Sequence, residues 1–111
     1  MTYEEARSLV LSFPGVEEGK SYGTPGFRVK KKFFTRLHQA GDSLVIHVGS
    51  IDERDMLLEK DPKVFHITDH YRDHPIVLAR FARIREDTLR MLLDRRWREI
   101  APKTKPRRSD R

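Results

Sequence analysis

Residues 65–84 read FHITDHYRDHPIVLARFARI, and the way this stretch folds decides the architecture of the chain. Val64 to Thr68 has the length and β-branched content of a short strand. Asp69 to Pro75 is a polar loop. Ile76 to Ile84 is the most apolar run, with β-branched and aromatic residues on both faces, which predicts a central strand. Val77, Ala79 and Phe81 are its expected core residues. His66, His70 and His74 recur every four residues, with Asp69 and Asp73 between them. On a helix that spacing would align three imidazoles, as a metal site needs. Pro75 and the strand periodicity on either side exclude a helix here, so the three rings should point in unrelated directions. No metal and no cofactor is therefore assigned. Asp69 and Asp73 are typical of residues that bond the backbone of a turn.

Downstream of this stretch, Leu89, Leu92, Leu93, Trp97 and Ile100 fall on one face of a helix that starts near Glu86 and ends before Pro102. Upstream, Ser50 and Glu53 form a capping signature for a helix that reaches Lys60 and should bury Met56 and Leu57. Asp61-Pro62 stops it. Before it lies a hairpin. Lys32 to His38 alternates, Ala40-Gly41-Asp42 turns, and Ser43 to Val48 returns. Strict alternation groups Phe33, Thr35 and Leu37 on one face and Phe34, Arg36 and His38 on the other. Leu37, Leu44 and Ile46 are assigned to the helix-covered core. Arg36, His38 and His47 then lie on an open, more polar face with Phe34, Val45, Leu78 and Arg80. Phe27 to Lys30 is a further short strand, and Lys31 lies in the turn after it. Thr2 and Glu5 cap a first helix whose stripe is Ala6, Leu9, Val10 and Phe13, ended by Pro14-Gly15. The order α-β(3)-α-β(2)-α predicts an α+β fold, an antiparallel sheet covered by helices on one face.

The chain has 111 residues and no cysteine. That length suits one domain able to bury a core without staples. Thiolate metal sites and cysteine nucleophiles are excluded, and a reducing cytoplasm is the expected location. No apolar run is long enough to span a membrane, and the N-terminus lacks a signal-peptide pattern. The net charge of +6 is uneven: residues 1–89 balance at 14 basic and 14 acidic groups, while residues 90–111 carry nine basic and three acidic ones. Such a basic end can attract a polyanion or simply solvate the surface.

Five strings in order, LSFPGVEEGKSYGTPGFRV, KKFFTRL, DERDMLLEKDP, FHITDHYRDHPIVLARF and LLDRRWREIAPK, resemble the MmcQ/YjbR-like family. The resemblance runs from about Ala6 to Lys103, giving a domain over 1–103 and a basic tail, 104–111, expected to be disordered. It implies a compact domain of the YjbR type, related in shape to secretion chaperones and to the frataxin-like CyaY fold. The family is commonly labelled DNA-binding and brings no agreed catalytic residues.

Three functional readings follow. Non-specific DNA binding through the phosphate backbone would use Lys30, Lys31, Lys32 and Arg36 on the hairpin, Arg80 on the open face, and Arg95, Arg96, Arg98, Lys103 and Lys105 at the C-terminal end. Phe34 would then stack on a base. No helix-turn-helix, zinc-finger or RNP string is present, so sequence-specific readout is not expected. The second reading is a small-ligand groove formed by Tyr22, Thr24, His66, Asp69, His70 and Tyr71. An Asp–His pair there could do acid–base work, but no activated nucleophile or oxyanion hole accompanies it, and no enzyme activity is expected. The third is a protein partner or self-association through a partly apolar open face.

Overall fold

A computed structural model describes residues 1–21 and 23–102. Helix α1 (Tyr3–Leu11) leads into β1 (Val16–Ser21), β2 (Thr24–Val29), β3 (Lys32–Leu37) and β4 (Ser43–His47). Helix α2 (Ile51–Lys60) follows, then β5 (Phe65–His66), a single 3₁₀ turn (Asp69–Tyr71), β6 (Ile76–Arg80) and α3 (Glu86–Ile100). The strands form one antiparallel sheet in the order β1-β2-β3-β4-β6-β5. The α+β class and the antiparallel sheet agree with the sequence reading.

The sequence reading has one strand too few. Val16–Ser21 pairs with β2 alone, and its residues 17–20 are exposed. An edge strand that buries almost nothing carries no alternating apolar pattern to read. Pro25 sits in β2 opposite Lys20, just before pairing to β3 begins at Gly26, so its missing N–H breaks no ladder on that side.

The main core lies between the sheet and the helices. Phe27, Val29, Phe34, Leu44, Ile46, Val77 and Ala79 meet Ala6, Leu9 and Val10 of α1 and Leu89, Leu92, Leu93 and Ile100 of α3. The first helix is closed by the expected reciprocal cap: Glu5 N donates to Thr2 Oγ1 at 3.1 Å, and Thr2 N to Glu5 Oε1 at 2.8 Å. Such a cap stabilises by about 1 kcal/mol.

Helix α2 departs from expectation. Met56 is exposed, and the inward stripe is Arg54, Leu57 and Leu58. These fall at i, i+3 and i+4, whereas Met56 lies off that face. The capping signature also forms only in half: Ser50 Oγ accepts from Glu53 N, while the Glu53 carboxylate takes Arg95 of α3 and Gly49 N instead.

The second departure fixes which side chains face which way. Between β2 and β3 the register slips: Phe27 is opposite Thr35, but Arg28 is opposite Phe33. Phe34 is the extra residue of a β-bulge, which reverses alternation on its N-terminal side. Phe34 is thereby turned into the main core, at 0% exposure, and Phe33 onto the other face. Arg96 of α3 donates twice to the Phe33 carbonyl beside the bulge.

Candidate functional site

The second sheet face is not open. The segment after β5 folds back over it and lays Tyr71 on Val45 and Leu78, with Phe33 and Ile76 around them. Val45 and Leu78 are 1% and 0% exposed, so the apolar patch expected to recruit a partner is already covered by the chain itself. Phe34 lies on the opposite side of the sheet, which removes it as a base-stacking platform.

The covering segment is held at two points. The Tyr71 hydroxyl accepts from Arg36 Nη2, whose side chain is buried beneath it. Arg54 Nη1 donates to the carbonyls of Tyr71, Arg72 and His74 at 3.2, 2.7 and 3.0 Å, while its Nε and Nη2 meet Asp55. Sequence reasoning misses Arg54 as a site residue. The signal is nonetheless there: a charged residue three positions before Leu57, on the stripe that should be apolar.

Each histidine has a separate fate. His66 Nε2 contacts Ser43 Oγ at 2.9 Å, and Ser43 also bonds Asp42. The His70 ring meets Tyr71 edge-on with centroids 4.8 Å apart, and the His74 carbonyl is one of the Arg54 acceptors. Asp69 pairs with Arg72 at the surface. Among the described residues no three His, Asp or Glu side chains converge as metal ligands would.

Two depressions flank the Tyr71–Arg36 bridge. One, of about 530 Å³, is lined by Arg36, His38, Gln39, Thr68, His70 and Tyr71. The other, of about 280 Å³, adds Phe33, Val45, His47 and Ile76 to the shared Arg36, His70 and Tyr71. The expected groove thus retains His70 and Tyr71 and gains Arg36 and His38. Thr24, Asp69 and His66 are not among its lining side chains, and Tyr22 lies outside the described residues.

Burial, reinforced by nearby guanidinium groups, lowers the pKa of three histidines on this face. Arg36 acts on His38, Arg96 on His47 and Arg80 on His66. Asp42 opposes the shift at His38 and His66, and Glu99 at His47. The folded chain therefore holds these rings neutral where the unfolded chain would charge them. Their contribution is fully present above the ordinary histidine pKa of about 6.5 and is lost as pH falls toward the lowered folded values. Thermal melts from neutral to mildly acidic pH should show a falling Tm, as unfolding free energy is lost by at most about 1.4 kcal/mol per histidine per pH unit. A single His38→Asn, His47→Asn or His66→Asn change should flatten that slope. A Tm independent of pH across this window would contradict the neutral assignment.

The basic residues are redistributed in the same way. Arg36 is buried, and Arg80 donates to the carbonyls of Pro62 and Lys63. Arg95 pairs with Glu53, Arg96 with Glu99 and the Phe33 carbonyl, Arg98 with Asp94, and Arg90 with Glu86. Helix α3 carries four arginines and four carboxylates, so it is neutral as a unit. Lys103 and Lys105, and the tail 104–111, fall outside the described residues.

Lys30, Lys31 and Lys32 are different. They form the tip of the β2–β3 hairpin, where Val29 pairs directly with Lys32. Lys30 and Lys31 occupy the two central positions with φ of 50° and 71°. This left-handed geometry matches a two-residue hairpin turn but strongly favours Asn and Gly. Among the described residues no carboxylate forms a salt bridge with these lysines. Lys30 also lines one depression with Pro14, Gly15, Val29, Trp97, Ala101 and Pro102. The lysine turn and the end of α3 are therefore neighbours.

The sequence profile of the YjbR family matches residues 11–99, from the end of α1 to the last turn of α3. The chain belongs to the YjbR family. The match takes in the whole sheet, the Arg54 clamp and the lysine hairpin of this YjbR domain. No curated protein and no solved structure matches it. No helix of the described chain is long and apolar enough to cross a membrane.

Proposed function

We propose that this YjbR domain is a non-enzymatic, cytoplasmic protein that binds nucleic acid through the phosphate backbone, with the Lys30–Lys32 turn as its main contact. The observation that carries this reading is the turn itself. Two lysines hold positive φ where Asn-Gly would sit without strain, at a cost of roughly 1–3 kcal/mol each. Three ammonium groups are thereby presented at one tip, clear of salt bridges among the described residues. Pro102 lines the same depression as Lys30, and the sequence continues from it into a segment rich in Lys and Arg. Phosphate neutralisation needs clustered cations rather than base readout. A non-enzymatic role is supported by the placement of Ser43, whose hydroxyl contacts His66 but is fully buried and closed to a substrate.

The test is fluorescence anisotropy with duplex and single-stranded DNA over a range of salt, comparing the parent with Lys30→Asn/Lys31→Gly. This double change suits the turn, so the variant should melt at or above the parent temperature. Its binding should weaken, and the log–log salt slope should shrink by about 2, one for each ammonium withdrawn from a phosphate. Binding that is absent at low salt, or a slope unchanged in the variant, would remove the hairpin from the interface.

A further inference from the structure

We infer that the outer edge of β1 is a self-association surface, on which two copies of this chain pair as antiparallel strands about a two-fold axis, with Glu18 of each copy opposite Lys20 of the other. The inference uses neither the lysine turn nor the nucleic-acid reading.

The backbone of the edge comes first. Strand β1 ends one side of the sheet, and among the described residues it pairs with β2 alone. Ser21 and Thr24 have two residues between them, the spacing of a tight hairpin whose last pair exchanges hydrogen bonds. Alternation from that pair makes Gly19 with Gly26, and Glu17 with Arg28, hydrogen-bonded pairs as well. Pro25 has no N–H to give and falls opposite Lys20, in a pair that needs none. The N–H and C=O groups of Val16, Glu18 and Lys20 therefore point away from the sheet, and residues 17–20 are exposed. The other end of the sheet offers only Phe65–His66. A row of outward backbone groups is a template for another strand.

Charge selects the strand and its register. A two-fold axis normal to the sheet keeps equivalent side chains on one face, and each outward residue must meet another outward residue. Centring the pair on Glu18 sets this carboxylate against its own copy. Centring it on Glu17 or on Lys20 likewise opposes like charges. Centring it on Val16 brings Pro14, which has no N–H, opposite Glu18. Only a pair centred on Gly19 sets Glu18 against Lys20, twice by symmetry. Opposite charges directly across a ladder stabilise it and like charges destabilise it. The charges that guard this edge against indiscriminate pairing thus admit one register. In it Glu18 and Lys20 exchange N–H···O=C bonds in both directions. Gly19 meets Gly19 at the axis with no side chain between the strands, and a Cβ built there meets nothing within 4 Å.

The side chains agree with this register. Glu18 and Lys20 lie on the same face as Val16, which packs on the main core beneath α1. On that face Arg7 of α1 donates to Glu18 through Nε and Nη2, and it also approaches Glu4 at 4.0 Å. Two carboxylates and one guanidinium leave a net negative charge beside the place of the incoming ammonium. An ionised carboxylate has about four acceptor positions, so Arg7 does not saturate Glu18. Lys20 has no salt-bridge partner of its own among the described residues. Glu17 faces the other way, across from Arg28 of its own chain, and does not compete.

The experiment uses the full chain, which has no cysteine. Gly19→Cys should form an intermolecular disulfide under mild oxidation, because a non-hydrogen-bonded pair holds Cα atoms about 4.5 Å apart, within disulfide range. Glu17→Cys places its two Cα atoms roughly 13 Å apart in this register and should cross-link at least tenfold more slowly. Sedimentation velocity of the parent should show weak association, with Kd of about 0.1–1 mM, as suits a small interface. Lys20→Glu alone and Glu18→Lys alone should each associate at least tenfold more weakly. Mixed in equal amounts they should recover the parent affinity, because each Lys then faces a Glu. Lys30→Asn/Lys31→Gly should associate like the parent. If Glu18→Lys does not fold, the cysteine pair carries the decision. A parent that stays monomeric to about 1 mM, with Gly19→Cys no faster than Glu17→Cys, would overturn the edge pairing. Association that the charge variants leave unchanged would place the contact elsewhere and overturn it too. Faster cross-linking through Glu18→Cys than through Gly19→Cys would overturn the register.

Discussion

Replacing Arg54 with Met should cost about 2–3 kcal/mol of stability and lower Tm by roughly 10–15 °C, although no apolar side chain of the core is removed. The residue is 6% exposed, and its Nη1 serves three carbonyls of one loop. Two of these have a second donor: His74 N bonds the Tyr71 carbonyl, and Ile76 N the His74 carbonyl. The Arg72 carbonyl has Arg54 as its donor. Methionine fills similar space but offers no donor, so charge-assisted bonds disappear and this acceptor is left behind. Lysine should restore only part of the stability, because a single ammonium cannot reproduce the fork that also reaches Asp55. Hydrogen exchange gives a second readout. The Tyr71 and His74 amides, bonded within the loop, should exchange by local opening in Arg54→Met while the β4–β6 ladder stays protected. A destabilisation below about 1 kcal/mol, with the loop amides still protected, would mean that the Tyr71 anchor suffices by itself.

That loop is also where sequence reasoning reaches least far. Helices α1 and α3, the β3–β4 hairpin and the strand–loop–strand after Val64 can be read directly, because caps and apolar spacing report local geometry, although the last strand ends at Arg80 and residues 81–84, expected to extend it to Ile84, form a turn whose Phe81 and Ile84 still reach the core. Disposing of the histidine array needs only Pro75 and the strand period. Three other features depend on tertiary contacts. Edge strand β1 buries little, so it leaves no pattern. The covering of the second face is produced by Tyr71 meeting Arg36 across 35 residues, and no local rule announces it. The arginines of α3 read as a free basic surface in one dimension, whereas in the fold Glu53, Asp94, Glu99 and the Phe33 carbonyl stand beside them. The groove is half legible: His70 and Tyr71 belong to it, while the sequence assigns Arg36 to phosphate and His38 only to a sheet face. The lysine turn is legible as a turn, but its left-handed backbone is not, because Lys-Lys carries no signal for φ above zero.

The bulge at Phe34 supplies the other large effect. Phe34→Ala should destabilise by about 3–4 kcal/mol, and Phe33→Ala by about 1–2 kcal/mol. Phe34 is wholly buried in the main core, with the Phe13 ring edge-on at 5.6 Å, so truncation opens a cavity between sheet and helices. Phe33 is half-buried on the second face against His47, at 5.3 Å, where solvent can move in. Strict alternation through KKFFTRL reverses this order, since it turns Phe33 toward the helices with Thr35 and Leu37. Both residues are phenylalanines in consecutive positions, so helix propensity, strand propensity and side-chain size are the same in the two variants. Only the face differs. Chemical denaturation of the pair therefore reads the bulge directly. A larger destabilisation at Phe33 would restore unbroken alternation, place Phe34 on the second face, and return the base-stacking role that the fold removes. The Arg96 contact makes the same point from the other side of the sheet. Arg96→Leu should weaken the chain by about 1–2 kcal/mol through the Phe33 carbonyl, and much less in a background where Phe34 has been deleted and the register is continuous.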